Sequence, residues 1–244
     1  MNFLLNIYKQ GLFGIYTPGL PEGVRIAIFV LSIMVVGISS YLLGSINFAI
    51  IISKKQYNQD IRNFGSNNAG MTNMMRTYGK KAAAFTLIGD ALKAIISCII
   101  GYVFLGEMGA YIGGLFSVVG HIFPLYYKFK GGKGVITALM TILMCNPIVF
   151  GIIMIMFVII VLFTRYISLA SVMCMFLYPV ILDRVDKWLW NAEGSIGGWV
   201  AVVIATLIVV KHWQNIKRLL NGTESKFSFK KSVKKEELNK DNKD

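Results

Sequence analysis

Residues 26–53 read IAIFVLSIMVVGISSYLLGSINFAIIIS, without a single charged side chain. A bilayer core about 30 Å thick takes roughly 20 apolar helical residues to cross. This stretch meets that length, and the same signal recurs down the chain. Residues 82–105 form a second apolar run, with Asp90 and Lys93 inside it. Residues 109–127 form a third, and 134–144 a fourth of only half the length. After the turn dipeptide Asn146-Pro147 come 148–164, 166–182 and 196–210. The pattern predicts an all-α integral membrane protein with about seven transmembrane helices.

Composition agrees. Of 244 residues, 55% are hydrophobic and 15% charged, against about 25% charged in an ordinary soluble domain. Mean hydropathy is +0.62. A disordered chain would be poor in apolar residues, and a soluble one would need more polar surface. Cys98, Cys145 and Cys174 each sit in an apolar run with no CxxC spacing. That argues against a disulfide framework or a zinc site and for small buried hydrophobes.

Net charge is +13. A basic chain first suggests nucleic acid or a solvated face, but the placement of the charges decides otherwise. Lys54, Lys55, Arg62, Arg76, Lys80 and Lys81 fall in one connection, and Lys128, Lys130 and Lys133 in another. Arg165 stands alone, and ten basic residues follow from Lys211 onward. With seven crossings and the N-terminus outside, all of these lie on one side, as the positive-inside rule requires of the cytoplasm. The C-terminus is then cytoplasmic. The short fourth segment must also cross, since otherwise Arg165 and the basic tail would switch sides. The excess of positive charge is a topology signal, and no nucleic-acid partner is expected.

Three connections on that side are unlike ordinary membrane loops. The first runs Gly65-Ser66-Asn67-Asn68-Ala69-Gly70-Met71-Thr72-Asn73-Met74-Met75-Arg76. Its spaced glycines resemble a P-loop, with Met71 where the lysine would stand. Backbone N–H groups in such a loop cradle phosphate, Ser66 and Thr72 add hydroxyl donors, and Arg76 follows one helical turn on. A flexible turn with a helix cap is the plain alternative. The second holds Gly120-His121-Ile122-Phe123-Pro124 and Phe129-Lys130-Gly131-Gly132-Lys133-Gly134-Val135-Ile136-Thr137. Its glycines permit close backbone approach, Lys133 supplies a cation, and a helix N-terminus follows. The third is His212-Trp213-Gln214-Asn215-Ile216-Lys217-Arg218-Leu219 with Gly222-Thr223-Glu224. His212 and Asn215 share a helix face, although a basic interfacial helix end anchored by Trp213 reads the same way. Asp90 and Lys93, three apart within a span, pair with each other or serve function; the mutual ion pair is the favoured reading.

Taken together, the three connections resemble the cytoplasmic motifs of the bacterial acyl-phosphate:glycerol-3-phosphate acyltransferases. Gly65, Ser66, Asn68, Gly70, Thr72, Asn73 and Arg76 match G-S-G-N-x-G-A-T-N-x-x-R. Gly120, His121, Phe123, Pro124, Phe129, Gly131, Gly132, Lys133, Gly134, Val135 and Thr137 match G-H-x-F-P…F-x-G-G-K-G-V-A-T. His212, Asn215, Ile216, Arg218, Leu219, Gly222 and Glu224 match H-x-x-N-I-x-R-L-x-x-G-x-E. The sequence departs from the pattern at Asn67, Met71 and Ile136, and Asn47 stands where the family usually has proline. Asn67 suits a position needing positive φ. Met71 and Ile136 are larger than the family residues and bear on acyl-chain preference.

The resemblance implies a bacterial plasma-membrane, multi-pass enzyme that moves an acyl group from acyl phosphate to sn-glycerol 3-phosphate. Residues 1–25 then read as an N-terminal interfacial segment, 26–223 as one transmembrane catalytic domain and 224–244 as a basic disordered cytoplasmic tail. Catalytic candidates are Ser66, Arg76, Lys133, His212 and Asn215. Substrate-binding candidates are Gly65, Asn68, Gly70, Thr72, Asn73, Gly131, Gly132, Gly134, Thr137 and Glu224. Loops one and two would hold the acyl phosphate, through Ser66, Thr72, Gly131 and Gly132. Arg76, Lys133, His212 and Asn215 would hold glycerol 3-phosphate. Neither His121 nor His212 has an Asp five positions on, so the H-x-x-x-x-D dyad of soluble-type glycerolipid acyltransferases is missing. The resemblance implies that the donor phosphate accepts the hydroxyl proton, with His212 as general base the second choice. No metal or cofactor is called for. Membrane lipid is the remaining partner, and the oligomeric state stays open, a monomer included. The rival reading is a small transporter of a phosphorylated or anionic solute.

Overall fold

The computed structural model describes residues 2–191 and 196–227. Every regular element among them is helical: α1 (Asn2–Tyr16), α2 (Glu22–Ser45), α3 (Phe48–Tyr57), α4 (Met71–Tyr78), α5 (Lys80–Ile122), α6 (Val135–Cys145), α7 (Pro147–Thr164), α8 (Ile167–Trp190), α9 (Ile196–Lys211) and α10 (Trp213–Leu220). Four helical runs are long and apolar enough to cross a bilayer, and α9 with α10, bent by 56°, makes a fifth.

One of those runs contains α5, whose 43 residues would reach about 65 Å as a straight rod, twice the hydrocarbon core. It breaks instead at Leu105 (φ −131°, ψ 16°) and Gly106 (φ 62°, ψ −147°), and its two arms return along each other. A Cβ on Gly101 would stand 1.9 Å from the Gly109 carbonyl oxygen, and one on Gly113 2.3 Å from that of Ser97. Those pairings fit only antiparallel arms in backbone contact. Small residues let helices approach closely where lipid removes the hydrophobic drive for association. The same device seats α2, because Cβ atoms on Gly44 and Gly120 would each fall 2.4 Å from the Ser117 and Tyr41 carbonyl oxygens. The outer stripe of α2, with Leu31 and Ile38 more than half exposed, is left to face lipid.

The seven apolar segments read in the sequence are thus seven helical segments, with the second and third as the arms of α5. The fourth, α6, has 11 residues and reaches only about 16 Å. Thr137, Ala138, Leu139, Thr141 and Ile142 on it are buried, so its neighbours cover it. Asn146 turns the chain there: its Oδ1 accepts from the Val149 amide at 3.1 Å and its Nδ2 donates to Asp186 at 3.1 Å. At that same end α1, broken at Gly11 (φ 63°), packs against the turn of α5, where Gly11 and Gly106 meet backbone to backbone. Cys98, Cys145 and Cys174 are buried and free. The tail from 228 onward lies outside the described residues.

Candidate active site

All three motif connections gather at the opposite end of the bundle. The first is shaped by two asparagines. Asn73 on α4 is 1% exposed. Its Oδ1 accepts the Ser66 amide at 2.9 Å, and its Nδ2 donates to the carbonyls of Phe64 (2.9 Å), Asn68 (3.0 Å) and Ile61 (3.3 Å). Both Nδ2 protons and one Oδ1 lone pair are engaged with backbone and the side chain is buried, so Asn73 staples the loop rather than facing a ligand, unlike the substrate contact expected of it. Asn47, at the proline position of the family pattern, caps α3 by accepting from Ile50 and donates to the Ala69 carbonyl at 3.3 Å. Asn67 adopts φ 56°, the left-handed backbone expected of a residue in a glycine's place. Gly65 also has positive φ, and a Cβ there would strike Asn73 Oδ1 at 2.2 Å. Gly70 opens α4. Asn68 is half-buried beside it, and its amide lies 3.0 Å from where a Gly70 Cβ would be.

In the second connection, the Gly131 amide donates to the Ile122 carbonyl at 3.3 Å and the Gly132 amide to that of His121 at 3.1 Å. These two amides are therefore engaged, and the glycines are needed for close approach rather than as phosphate donors. Gly134 takes φ 82° at the start of α6, which leads Lys133 into the site. Thr137 is fully buried and its hydroxyl donates to the Gly134 carbonyl at 2.9 Å, so it braces the helix and does not face a ligand. Arg62 ties this connection to the first. It clamps Asp60 through two N–H groups at 2.9 and 2.7 Å and donates to the carbonyls of Tyr127 and Lys130. That hydrogen-bonded Arg62 guanidinium holds the Asp60 carboxyl below its usual range.

The third connection joins the second through a relay. Lys133 Nζ donates to Asn215 Oδ1, and Asn215 Nδ2 donates to Glu224 Oε1 at 2.6 Å. Glu224 also accepts from Ser168 on α8 at 2.7 Å and from Arg218 Nε at 2.7 Å. Burial pushes the Glu224 carboxyl up, but Ser168, Arg218 and Asn215 overrule it and hold the group low. Residues 224–227 are thus folded onto the site, and the Phe227 amide donates to the Arg165 carbonyl at 2.7 Å. His212 is buried, with Nδ1 set 2.8 Å from the Ile208 carbonyl. A carbonyl only accepts, so Nδ1 carries the proton and Nε2 is left as an acceptor.

The electrostatics are one-sided. Burial depresses Lys133 to about 8, with Arg218 and Arg76 pushing the same way against Glu224. Burial and Lys133 together lower His212 to about 4, so it is neutral at ordinary pH. Lys133 thus has two guanidinium neighbours, Arg76 and Arg218, against one carboxylate, Glu224, which leaves the local potential positive. Among the described residues, the side chains of Ser66, Thr72 and Arg76 make no hydrogen bond within the protein, and Ser66 and Arg76 are exposed. They are free to meet a ligand.

Of the candidates from sequence, Arg76, Lys133, His212, Asn215 and Glu224 are brought together, while Ser66 and Thr72 lie on the first connection with their hydroxyls unbonded within the protein among the described residues. Gly65, Gly70, Gly131, Gly132 and Gly134 shape the backbone, and Asn73 and Thr137 point inward. Sequence reasoning passed over Ser168, which no motif contains, and Arg218, which sat in the third motif as a plain match. It favoured the Asp90–Lys93 ion pair, which forms at 2.9 Å between side chains each 2% exposed. It did not see that His121 joins them.

Membrane-length apolar helices with a cationic, glycine-shaped cluster at one end define an integral membrane protein. Residues 34–222 match the family described as Glycerol-3-phosphate acyltransferase, and the chain belongs to that family. Relatives of that name include one from Finegoldia magna, 40% identical over 80% of this chain and 96% of its own length, and one from Thermoanaerobacter sp. (strain X514), 39% identical over 81% and 96%. Among solved structures, an integral membrane glycerol 3-phosphate acyltransferase, PlsY, is similar in its glycerol 3-phosphate form, with a TM-score of 0.72, 36% identity and coverage of 81% of this chain and 96% of that one. Its lysophosphatidic acid form gives 0.70 and 34% over the same shares.

Proposed function

We propose that the protein transfers an acyl group from acyl phosphate to a hydroxyl of sn-glycerol 3-phosphate in the bacterial plasma membrane. The products are 1-acylglycerol 3-phosphate and inorganic phosphate. The observation that carries this reading is that Arg76, Arg218 and Glu224 all lie close enough to Lys133 to act on its charge, with Arg76 on the same helix as Thr72, just after the loop that holds Ser66. Both substrates carry phosphate, and such a site neutralises and positions two anions that would otherwise repel each other. Ser66, Thr72 and the start of α4 take the donor phosphate. Arg76, Lys133, His212 and Asn215 take glycerol 3-phosphate.

The glycerol oxygen attacks the acyl carbon, and the bond from that carbon to the phosphate oxygen breaks. The hydroxyl proton passes to the departing phosphate. Nearby cations stabilise the charge that grows on the carbonyl oxygen. His212, neutral with Nε2 as acceptor, can orient the hydroxyl. The chain crosses seven times with its N-terminus and α1 outside, α1 lying at the interface, and the site faces the cytoplasm, where soluble glycerol 3-phosphate is supplied. A transporter would place its polar residues near mid-membrane, whereas these collect at one end.

The test is a donor comparison in mild detergent. Equimolar phosphate and lysophosphatidate from long-chain acyl phosphate, with none from acyl-CoA, is the expected result. Activity with acyl-CoA alone would overturn the donor, and binding without turnover would favour transport.

A further inference from the structure

A second polar cluster lies beneath the site and takes no part in the chemistry above. Asp90, Lys93 and His121 are 1%, 3% and 4% exposed, on the two arms of α5. Lys93 Nζ lies 2.9 Å from Asp90, 2.9 Å from His121 Nδ1 and 2.7 Å from the Ile46 carbonyl. Lys93 Nζ hydrogen-bonds the Ile46 carbonyl and His121 Nδ1 and is ion-paired with Asp90, whose Oδ1 also lies 3.5 Å from His121 Nδ1; an ammonium group has three donors and no lone pair. His121 Nδ1 is thereby the acceptor, which leaves its proton on Nε2.

Two of the three partners of Lys93 are joined to loops of the site. Ile46 precedes Asn47, which holds the Ala69 carbonyl of the first loop. The His121 carbonyl accepts the Gly132 amide. Its ring abuts Gly132 so closely that a Cβ there would stand 2.1 Å from Nε2 and 2.6 Å from the Ala69 oxygen. Gly132 is the residue before Lys133. One buried ammonium group therefore fixes the meeting of the first loop, the second loop and the α2–α3 turn.

We infer that Asp90, Lys93 and His121 are positioning residues that set the register of Lys133 in the glycerol 3-phosphate site. They act through Gly132 and touch no substrate. The inference rests on the proposed function for its kinetic readout only. Buried charges make a single variant ambiguous, since Lys93→Met strands Asp90 and destabilises the fold. The double variant Asp90→Asn/Lys93→Met removes both charges together and restores stability. The expected result is a double variant with a wild-type melting temperature and a KM for glycerol 3-phosphate raised about tenfold or more, the scale of a small misplacement, with the KM for acyl phosphate little changed.

A tautomer readout needs no turnover. His121 and His212 are the only histidines, so ¹⁵N-histidine labelling gives two imidazole signatures, Nε2–H for His121 and Nδ1–H for His212. In the double variant the His121 signature becomes mixed. A double variant that regains wild-type KM along with its stability would reduce the cluster to packing. An unchanged Nε2–H signature for His121 in the double variant would overturn the relay. A wild type without turnover, but with these signatures, would instead count against the proposed reaction alone.

Discussion

Lys133 carries the most specific consequence at the scale of single residues. Burial holds it near 8, well below the ordinary lysine value of about 10.4. It is a cation below that pH and neutral above it. The kcat/KM for glycerol 3-phosphate therefore falls as pH rises through about 8, approaching tenfold per unit. The acid limb belongs to the substrate phosphate, whose second pKa is about 6, because His212, near 4, stays neutral there. Lys133→Arg moves the alkaline break upward out of range, and a wild-type profile flat to pH 9.5 would contradict the assignment. Legibility at this scale was uneven. Side-chain type and motif spacing identified Lys133, Arg76, His212 and Asn215. They could not show that Asn73 turns inward, because an asparagine in a loop reads alike whether it binds backbone or ligand. The engaged amides of Gly131 and Gly132 were hidden for the same reason. Only the fold shows which N–H groups already have a carbonyl.

Among the elements, the hairpin within α5 decides where the loops can meet. Its closeness depends on glycine, so Gly101→Val drives a side chain into the Gly109 carbonyl and costs about 1–3 kcal/mol or more. Gly151→Ala on α7 meets nothing within 4 Å and gains up to about 1 kcal/mol of helix propensity. Thermal unfolding in detergent should lower the melting temperature for the first and leave or raise it for the second. Equal shifts would argue against tight arms. The break at Leu105–Gly106 was legible because apolar length alone forbids one rod across 82–127. The joining of His121 to Asp90–Lys93 was not, since 28 residues separate His121 from Lys93 and only the antiparallel return brings them together. Glu224 illustrates the converse. Composition placed it in a basic tail, yet Ser168, 56 residues upstream, holds it at 2.7 Å.

For the whole molecule, the distribution of charge predicts orientation. Natural Cys98, Cys145 and Cys174 are buried, so thiol labelling has a low background. Lys187→Cys should react with an impermeant maleimide from outside intact cells, and Lys130→Cys only once the cytoplasmic face is opened; the reverse pattern would invert the topology. The same asymmetry places Arg76, Lys133 and Arg218 together at the basic end. In the proposed reaction phosphate is already a good leaving group, so the task left to these residues would be to hold two anions in line. The most direct measurement is phosphate release from acyl phosphate and glycerol 3-phosphate by wild type, Arg76→Ala and Lys133→Met, with melting temperatures taken on the same samples. Each variant should keep its fold and lose about 100-fold or more in turnover efficiency, the scale of one lost charge-stabilising donor. Near-normal turnover in either folded variant would contradict the cationic site as the engine of acyl transfer.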